Sequence, residues 1–463
     1  MPFESLVMPR KVLMTADTIG GVWTYALELA AALGKYGIEV ALATMGAPLT
    51  PQQRETSRQI PNLEVFESNF KLEWMEDPWE DVKQAGEWLL QLEGHLQPDI
   101  VHLNGYVHAA LSWQAPTLVV GHSCVLSWWE AVKGEPAPAS WNRYQQNVKQ
   151  GLQAANLVVA PSAAMLTALT SHYGELVNSK VVPNGRDPAV FYPSVKKEFV
   201  LTAGRLWDEA KNVAVLEDIA PQLLWSIYIA GEQKHPDSGI DAMNRVSITQ
   251  LHQAVSPQPN PTLTKAPVAK GRKLASPLSK GGLRGVKPVV GYPVQDADER
   301  EYTTNNENLC SPLTTHHSPL PIFKTDVSTS NVHRLGRLST EELATWYAQA
   351  SIYALPARYE PFGLSVLEAA LSGCALVLGD IPSLREIWRD AAVFVPPDQK
   401  NAIAHAINTL IRDCSVRTAF ATKARTRALE FTPQRMVTGY LEAYQDLIEQ
   451  RSKGTICRVP TNS

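Results

Sequence analysis

The stretch that decides the fold runs from Ala357 to Ile387: "ARYEPFGLSVLEAALSGCALVLGDIPSLREI". Glu360 precedes Pro361, and proline pushes the residue before it out of the α region, so Glu360 sits in an extended or turn conformation. Gly363 permits close backbone approach, and a helix begins near it. "ALVLGD" (Ala375–Asp380) then reads as a buried strand. Turn, helix and apolar strand in this order are one unit of a parallel α/β sheet. At the mouth of such a helix the amides of Gly363, Leu364 and Ser365 lack intrahelical partners, which makes a site for a diphosphate. Glu368 stands about one turn further in, within reach of a ribose hydroxyl pair.

Working outward, the same alternation recurs on both sides. Upstream lie "KKEFVLTAGRL" (Lys196–Leu206), "SIYIAGE" (Ser226–Glu232), "VHRLGRL" (Val332–Leu338) and "SIYALPA" (Ser351–Ala357), separated by amphipathic runs. An earlier series holds "KVLMTAD" (Lys11–Asp17), the helix "GVWTYALELAAALGKYG" (Gly21–Gly37), "IEVALATMG" (Ile38–Gly46), "DIVHLN" (Asp99–Asn104), "TLVVGHS" (Thr117–Ser123) and "NLVVAPS" (Asn156–Ser162). The pattern predicts two doubly wound halves of similar size, split near Pro193–Phe199. The expected domains are 1–195 and 196–432. A helix over 433–450 returns toward the first domain, and 451–463 is a tail.

One segment departs from this. Residues 234–332 hold 11 of the 33 prolines and none of the 12 tryptophans, and Ser-Pro-Leu recurs at Ser276, Ser311 and Ser318. No apolar period survives there, so it reads as a disordered insertion in the second domain. Seven basic residues and no acid lie between Lys265 and Lys287, which leaves a basic tether for an anionic partner or membrane as the sharper alternative.

Composition narrows the function. With 463 residues, 44% hydrophobic and 19% charged, the chain has the balance of a globular enzyme. A net charge of −4 argues against a polyelectrolyte nucleic-acid binder. Five scattered cysteines with no C-x-x-C pair argue against a disulfide framework or zinc ribbon and favour a reducing compartment. The N-terminus lacks a secretory apolar core, and no stretch reads as a bilayer span. The expected location is cytoplasmic, with attachment to a membrane surface left open.

Four further features carry chemistry. In "TAGRLWDEAKN", Arg205 and Lys211 follow the first strand of the second half, where ligands of parallel sheets bind. Two cations there neutralise a departing pyrophosphate. In the first half Asp17-Thr18-Ile19-Gly20-Gly21 links strand to helix, and Gly20 and Gly21 let backbone approach a ligand. His122 ends a strand on the same rim, where a histidine serves structure as readily as catalysis. G-x-G-x-x-G, H-E-x-x-H, G-x-S-x-G and the P-loop pattern are all missing, which weakens dehydrogenase, metalloprotease, serine hydrolase and P-loop readings.

Taken in order, "GGVWTYALELAAALGKYGIEV", "VVPNGRDPAVFYP" (Val181–Pro193), "GRLWDEAKN" and the Leu335–Val377 stretch resemble the GT-B glycosyltransferases. The likeness is to the retaining family 4 / group 1 type with an E-x7-E signature, here Glu360 and Glu368. That resemblance implies a GT-B fold, with two Rossmann-like domains facing a cleft. It implies a hexose moved from a nucleotide-diphosphate donor to an acceptor, with no metal and no cofactor beyond the donor. Residue by residue, Gly20 and Gly21 would border the donor phosphate and acceptor, and Arg205 and Lys211 would hold the diphosphate. Glu360 would face the anomeric carbon, with Phe362, Gly363 and Leu364 offering amides. Ser365 belongs to the same donor-binding turn, Glu368 would bind ribose, and His122 would contact the donor sugar. The expected partners are a nucleotide sugar and an unidentified acceptor (saccharide, lipid or small molecule), with no nucleic acid; oligomeric state is open. The insertion departs from the family's short loop after "YIAGE". The alternatives are a phosphorylase or epimerase on the same scaffold, and a degenerate scaffold that binds without turnover.

Overall fold

A computed structural model describes residues 8–232 and 331–454. The segment expected to be a disordered insertion, and the last residues of the tail, lie outside the described residues. Seven strands form the first sheet: β1 (Lys11–Asp17), β2 (Glu39–Met45), β3 (Leu63–Glu67), β4 (Ile100–Leu103), β5 (Thr117–Val120), β6 (Leu157–Ala160) and β7 (Ser179–Val181). Six form the second: β8 (Lys197–Ala203), β9 (Ser226–Ala230), β10 (Val332–Gly336), β11 (Ala350–Leu355), β12 (Ala375–Gly379) and β13 (Val393–Val395). The orders are β3-β2-β1-β4-β5-β6-β7 and β10-β9-β8-β11-β12-β13. All the pairings are parallel.

Each sheet is buried on both faces. In β1, Val12, Met14 and Ala16 enter one apolar layer with Leu29 and Leu33 of helix Gly21–Gly34, while Leu13 enters the opposite layer. In β8, Phe199 and Leu201 go one way and Val200 the other. Two-sided burial is why these strands read as unbroken apolar runs. It also explains why no helix periodicity competes with them.

The final helix, Pro433–Ser452, is capped by the Thr432 side chain accepting from Arg435 N–H, with proline at the first position. It lays Met436, Val437, Tyr440 and Tyr444 into the first-half layer. There Tyr444 Oη meets His102 Nδ1 at 2.7 Å, while Tyr25 Oη meets Nε2 at 3.2 Å. Burial pushes the His102 imidazole down to about 3, so a neutral ring ties the two ends of the chain together. Among the described residues Cys124 and Cys374 are buried free thiols. No helix of the described residues is long and apolar enough to cross a membrane.

The two halves belong to one compact unit. Strand order reverses between β1 and β4 in one sheet and between β8 and β11 in the other. Such switch points open a crevice at the strands' carboxyl ends. The loops leaving β1, β8 and β11 carry Asp17–Gly21, Gly204–Lys211 and Pro356–Gly363. Several bonds cross between halves beside these loops. Ser162 Oγ donates to the Pro361 carbonyl at 2.8 Å. Glu386 accepts from the amides of Ala163 and Ala164, at 2.8 Å each. Trp128 Nε1 donates to Asp208 at 3.1 Å, and Cys124 N–H to Tyr359 Oη at 3.0 Å.

Candidate functional site

A cavity of about 890 Å³ lies between the carboxyl ends of the two sheets. Every residue singled out from sequence lines it: Gly20, Gly21 and His122 from the first half, and Arg205, Lys211, Glu360, Phe362, Gly363, Leu364, Ser365 and Glu368 from the second. Gly20 has φ +94°, a conformation that favours glycine, and an added Cβ would lie 3.7 Å from the Arg205 side chain. An added Cβ on Gly21 would lie 3.5 Å from Leu364. The glycine turn of one half therefore faces the cation and helix tip of the other.

The second-half side is built around helix Leu364–Leu371, whose cap Gly363 has φ +89°. A Cβ there would come within 3.0 Å of Val366, so the turn requires glycine on both conformational and steric grounds. The Phe362 ring is buried against Phe431 at 5.7 Å, which leaves only its backbone for a ligand. The Ser365 hydroxyl accepts from Tyr353 Oη at 2.9 Å and is held in place by it. Ser383 Oγ donates to the Glu360 carbonyl at 2.6 Å. Together with Ser162 on the next carbonyl, this pins the Glu360–Pro361 turn from both halves.

The charged groups are paired with one another. Lys211 Nζ sits 2.6 Å from Glu360 Oε2, with both side chains nearly buried. Arg205 Nη2 sits 2.9 Å from Asp208 Oδ2 and lies over the Trp207 ring. Burial alone would raise the Asp208 carboxyl. Arg205, Lys211, the Trp128 indole and the Ala210 amide outweigh it and hold the group below its ordinary value.

Glu368 lies in helix Leu364–Leu371 and lines the cavity. Its carboxylate is buried, and Arg186 Nε approaches Oε1 at 2.9 Å, an ion contact outside hydrogen-bond alignment. The same guanidinium donates through Nη1 to Glu28 Oε2 at 2.7 Å. Burial raises both carboxyls above 4.5, and Arg186 offsets only part of that. Arg186 and Glu28 were not singled out from sequence. Arg186 stood in the quoted junction segment, but nothing local marked it as buried.

On the first-half side, Asn104 Nδ2 donates to the Thr15 carbonyl at 2.7 Å, which turns Oδ1 toward His122 Nε2 at 2.8 Å. An amide oxygen can only accept, so Nε2 carries the proton. His122 is pushed down to about 3 by burial and is neutral, leaving Nδ1 as an acceptor. Asp17, which the sequence placed in the strand–helix link without a role of its own, lines the same rim. Burial pushes its carboxyl up to about 7 against the opposing pull of the Ile19 amide and Arg205.

Comparison with known proteins agrees with this architecture. Residues 19–190 match Glycosyltransferase Family 4 and residues 328–427 match Glycosyl transferases group 1. An O-antigen chain mannosyltransferase B from Escherichia coli is 31% identical over 114 residues, which cover 25% of this chain and 30% of that protein. A D-inositol 3-phosphate glycosyltransferase from Jonesia denitrificans is 22% identical over 92% of this chain and 91% of its own. The matched stretch thus spans under a third of the Escherichia coli relative. Among solved structures, sucrose-phosphate synthase from Thermosynechococcus elongatus has the same fold with a TM-score of 0.65 at 16% identity, covering 95% of this chain and 99% of that one. Anabaena HepE, solved with UDP and glucose, gives a TM-score of 0.61 at 15% identity, covering 95% and 100%. Two facing parallel-sheet domains with a cleft at both switch points define the class, a GT-B protein. Within that class the chain belongs to the GT-B glycosyltransferases, with both family matches falling on the two halves in order.

Proposed function

We propose that the protein is a retaining hexosyltransferase that takes its sugar from a nucleotide-diphosphate donor and needs no metal. The observation that carries this is the meeting of Arg205, Lys211, Glu360 and the helix tip at Gly363–Ser365 in one cavity. Cleaving a sugar–phosphate bond develops positive charge at the anomeric carbon, as in glycoside cleavage, and negative charge on the leaving diphosphate. Glu360 suits the first. Arg205, Lys211 and the free amides of the helix tip suit the second, supplying from the protein the charge that a metal would otherwise provide. Lys211 has three N–H donors, so it can keep Glu360 and take a phosphate oxygen together. Glu368, braced by Arg186, is the group for the ribose, and the His122 Nδ1 lone pair accepts from a donor-sugar hydroxyl. The HepE structure is a complex with UDP and glucose, which favours UDP-sugars as the first donors to try. The bonds between halves fit a closed state that excludes water and suppresses hydrolysis.

The test is a thermal-shift screen of UDP-, GDP- and ADP-sugars, since a ligand bound only by the folded state raises the melting temperature. Hits go on to transfer assays with and without EDTA, with product anomers assigned by NMR. Inversion at the anomeric carbon, or abolition by EDTA, would refute the corresponding part of the reading.

A further inference from the structure

Strands β1 and β4 pair in register as far as Met14 and His102, while β1 continues along β2 to Asp17. Beyond Met14 and His102 the two strands part to open the crevice. Asn104, the residue after β4, carries the bonding one step further with its own atoms. Its backbone N–H donates to Thr15 Oγ1 at 2.9 Å, and its Nδ2 donates to the Thr15 carbonyl at 2.7 Å. Thr15 is buried, so these bonds are shielded from water.

The Thr15 carbonyl fixes which way the amide turns. Only Nδ2 can donate to it, so Oδ1 is the atom that meets His122 Nε2 at 2.8 Å. In the sheet β4 stands between β1 and β5, so one side chain links the ends of three strands. Tyr25 of helix Gly21–Gly34 makes a T-shaped contact with the imidazole, 4.6 Å between centroids, and bonds in turn to His102 on β4. The imidazole is thus held at Nε2 and by the Tyr25 ring. It lines the donor cavity, and Nδ1 is its remaining hydrogen-bonding atom. Burial keeps the ring neutral.

Resting on the donor reading above, we propose that Asn104 is a positioning residue of the sugar subsite: it holds His122 as the Nε2–H tautomer, so that Nδ1 accepts from a hydroxyl of the transferred sugar. A neutral imidazole has one donor and one acceptor, and the bond at one nitrogen decides what the other can do. With an amide oxygen at Nε2, Nδ1 can only accept, so the sugar must bring the hydrogen. A hydroxyl does so. Fluorine in its place leaves the buried lone pair without a donor, which costs affinity. Through Thr15 the same side chain ties the sugar's partner to β1, the strand that leads into the Gly20–Gly21 turn.

Two measurements on the full chain test this. Long-range nitrogen–proton NMR spectra read histidine tautomers directly, with the His122 signals assigned by their loss in His122→Gln. Wild type is expected as the Nε2–H form and Asn104→Ala as a mixture of both forms. The Nδ1–H form in wild type overturns the proposal whatever the variant does. The second measurement titrates calorimetrically the donor found by the thermal screen, together with its deoxyfluoro analogues, one for each hydroxyl of the sugar. In wild type the analogue at one position is expected to bind about tenfold more weakly than the donor. In Asn104→Ala that penalty should shrink to about threefold or less at that position alone, with the affinity for the nucleoside diphosphate kept. Penalties equal in wild type and variant overturn the proposal, as does a loss of nucleoside diphosphate affinity as large as the loss of donor affinity. Should Asn104→Ala fail to fold, Asn104→Ser, which keeps a donor near Thr15 and is too short for His122, takes its place. The readings fail separately. A wild type that binds nucleotide sugar with unchanged penalties in the variant sinks the role of Asn104 alone. The expected penalties without transfer to any acceptor support that role and refute the transferase, and no binding of any nucleotide sugar to wild type refutes both.

Discussion

Replacing Arg186 with methionine removes the one guanidinium shared by Glu28 and Glu368 and leaves two carboxylates facing each other in a buried pocket. The side chains of Arg186, Glu28 and Glu368 are 8%, 17% and 10% exposed, so solvent screening offers little relief. Breaking a buried ion pair by deleting one partner costs about 3–5 kcal/mol. For a half of this size each kcal/mol moves the melting temperature by about 2–4 °C, so Arg186→Met should lower it by about 6–20 °C at pH 7.5. The loss depends on pH in a definite sense. Both carboxyls already sit above 4.5 in the folded chain, so they bind protons more tightly folded than unfolded. The stability they allow is fully present below about pH 4.5 and falls as pH rises through their folded values. Without Arg186 those values climb further. The gap between variant and wild type should therefore be widest near pH 8 and narrow toward pH 5. Differential scanning calorimetry from pH 5 to 8 reads this directly. The double variant Arg186→Met/Glu28→Gln, which leaves one carboxylate, should recover about half the loss. A single variant within about 0.5 kcal/mol of wild type, or a gap independent of pH, would refute the bridging role.

Glu360→Gln and Lys211→Ala should each reduce transfer tenfold or more, a loss of about 1.4 kcal/mol or above, with unchanged circular dichroism; normal rates in both would remove them from the site. Glu386→Ala and Ser162→Ala loosen the bonds between halves beside Glu360. They should raise donor hydrolysis relative to transfer, and an unchanged ratio would detach closure from the Glu360 turn. Asp17 sits near 7 in the folded chain against an ordinary 3.8, so its contribution is present below about pH 4 and lost as pH rises through 7. Asp17→Asn should raise the melting temperature at pH 8 and leave it unchanged at pH 4; equal shifts at both would contradict the buried carboxyl. Deleting residues 234–330 should keep cooperative melting if the linker is long enough. β9 and β10 are parallel neighbours, so the chain must travel back along the sheet, which takes a dozen or so residues. A two-residue linker should fail where a twelve-residue one succeeds.

Much of this molecule could be read one segment at a time. The two-sided burial of central parallel strands writes itself as apolar runs such as "LVLG" and "LVVA", so those strands were legible without coordinates; the half-exposed edge strands β3 ("LEVFE") and β7 ("SKV") carry no such run and were not foreseen. The turn at Glu360–Gly363 was legible too, because proline and glycine constrain the backbone locally. Helix-tip chemistry and the cations after β8 followed from their places at strand ends.

What the sequence could not express was which charge meets which. Lys211 and Glu360 are 149 residues apart, and Arg186 and Glu28 are 158 apart. Neither pairing has a local signature. Nothing in the local sequence of Asp17 or Glu73 announces that burial raises their carboxyls. The sequence by itself determined the two Rossmann-like halves and the loops that carry the chemistry, because those follow from short-range backbone preference and apolar periodicity. Only the tertiary structure decided the electrostatic state of the cleft, because desolvation and ion pairing depend on distances through space that chain order does not encode.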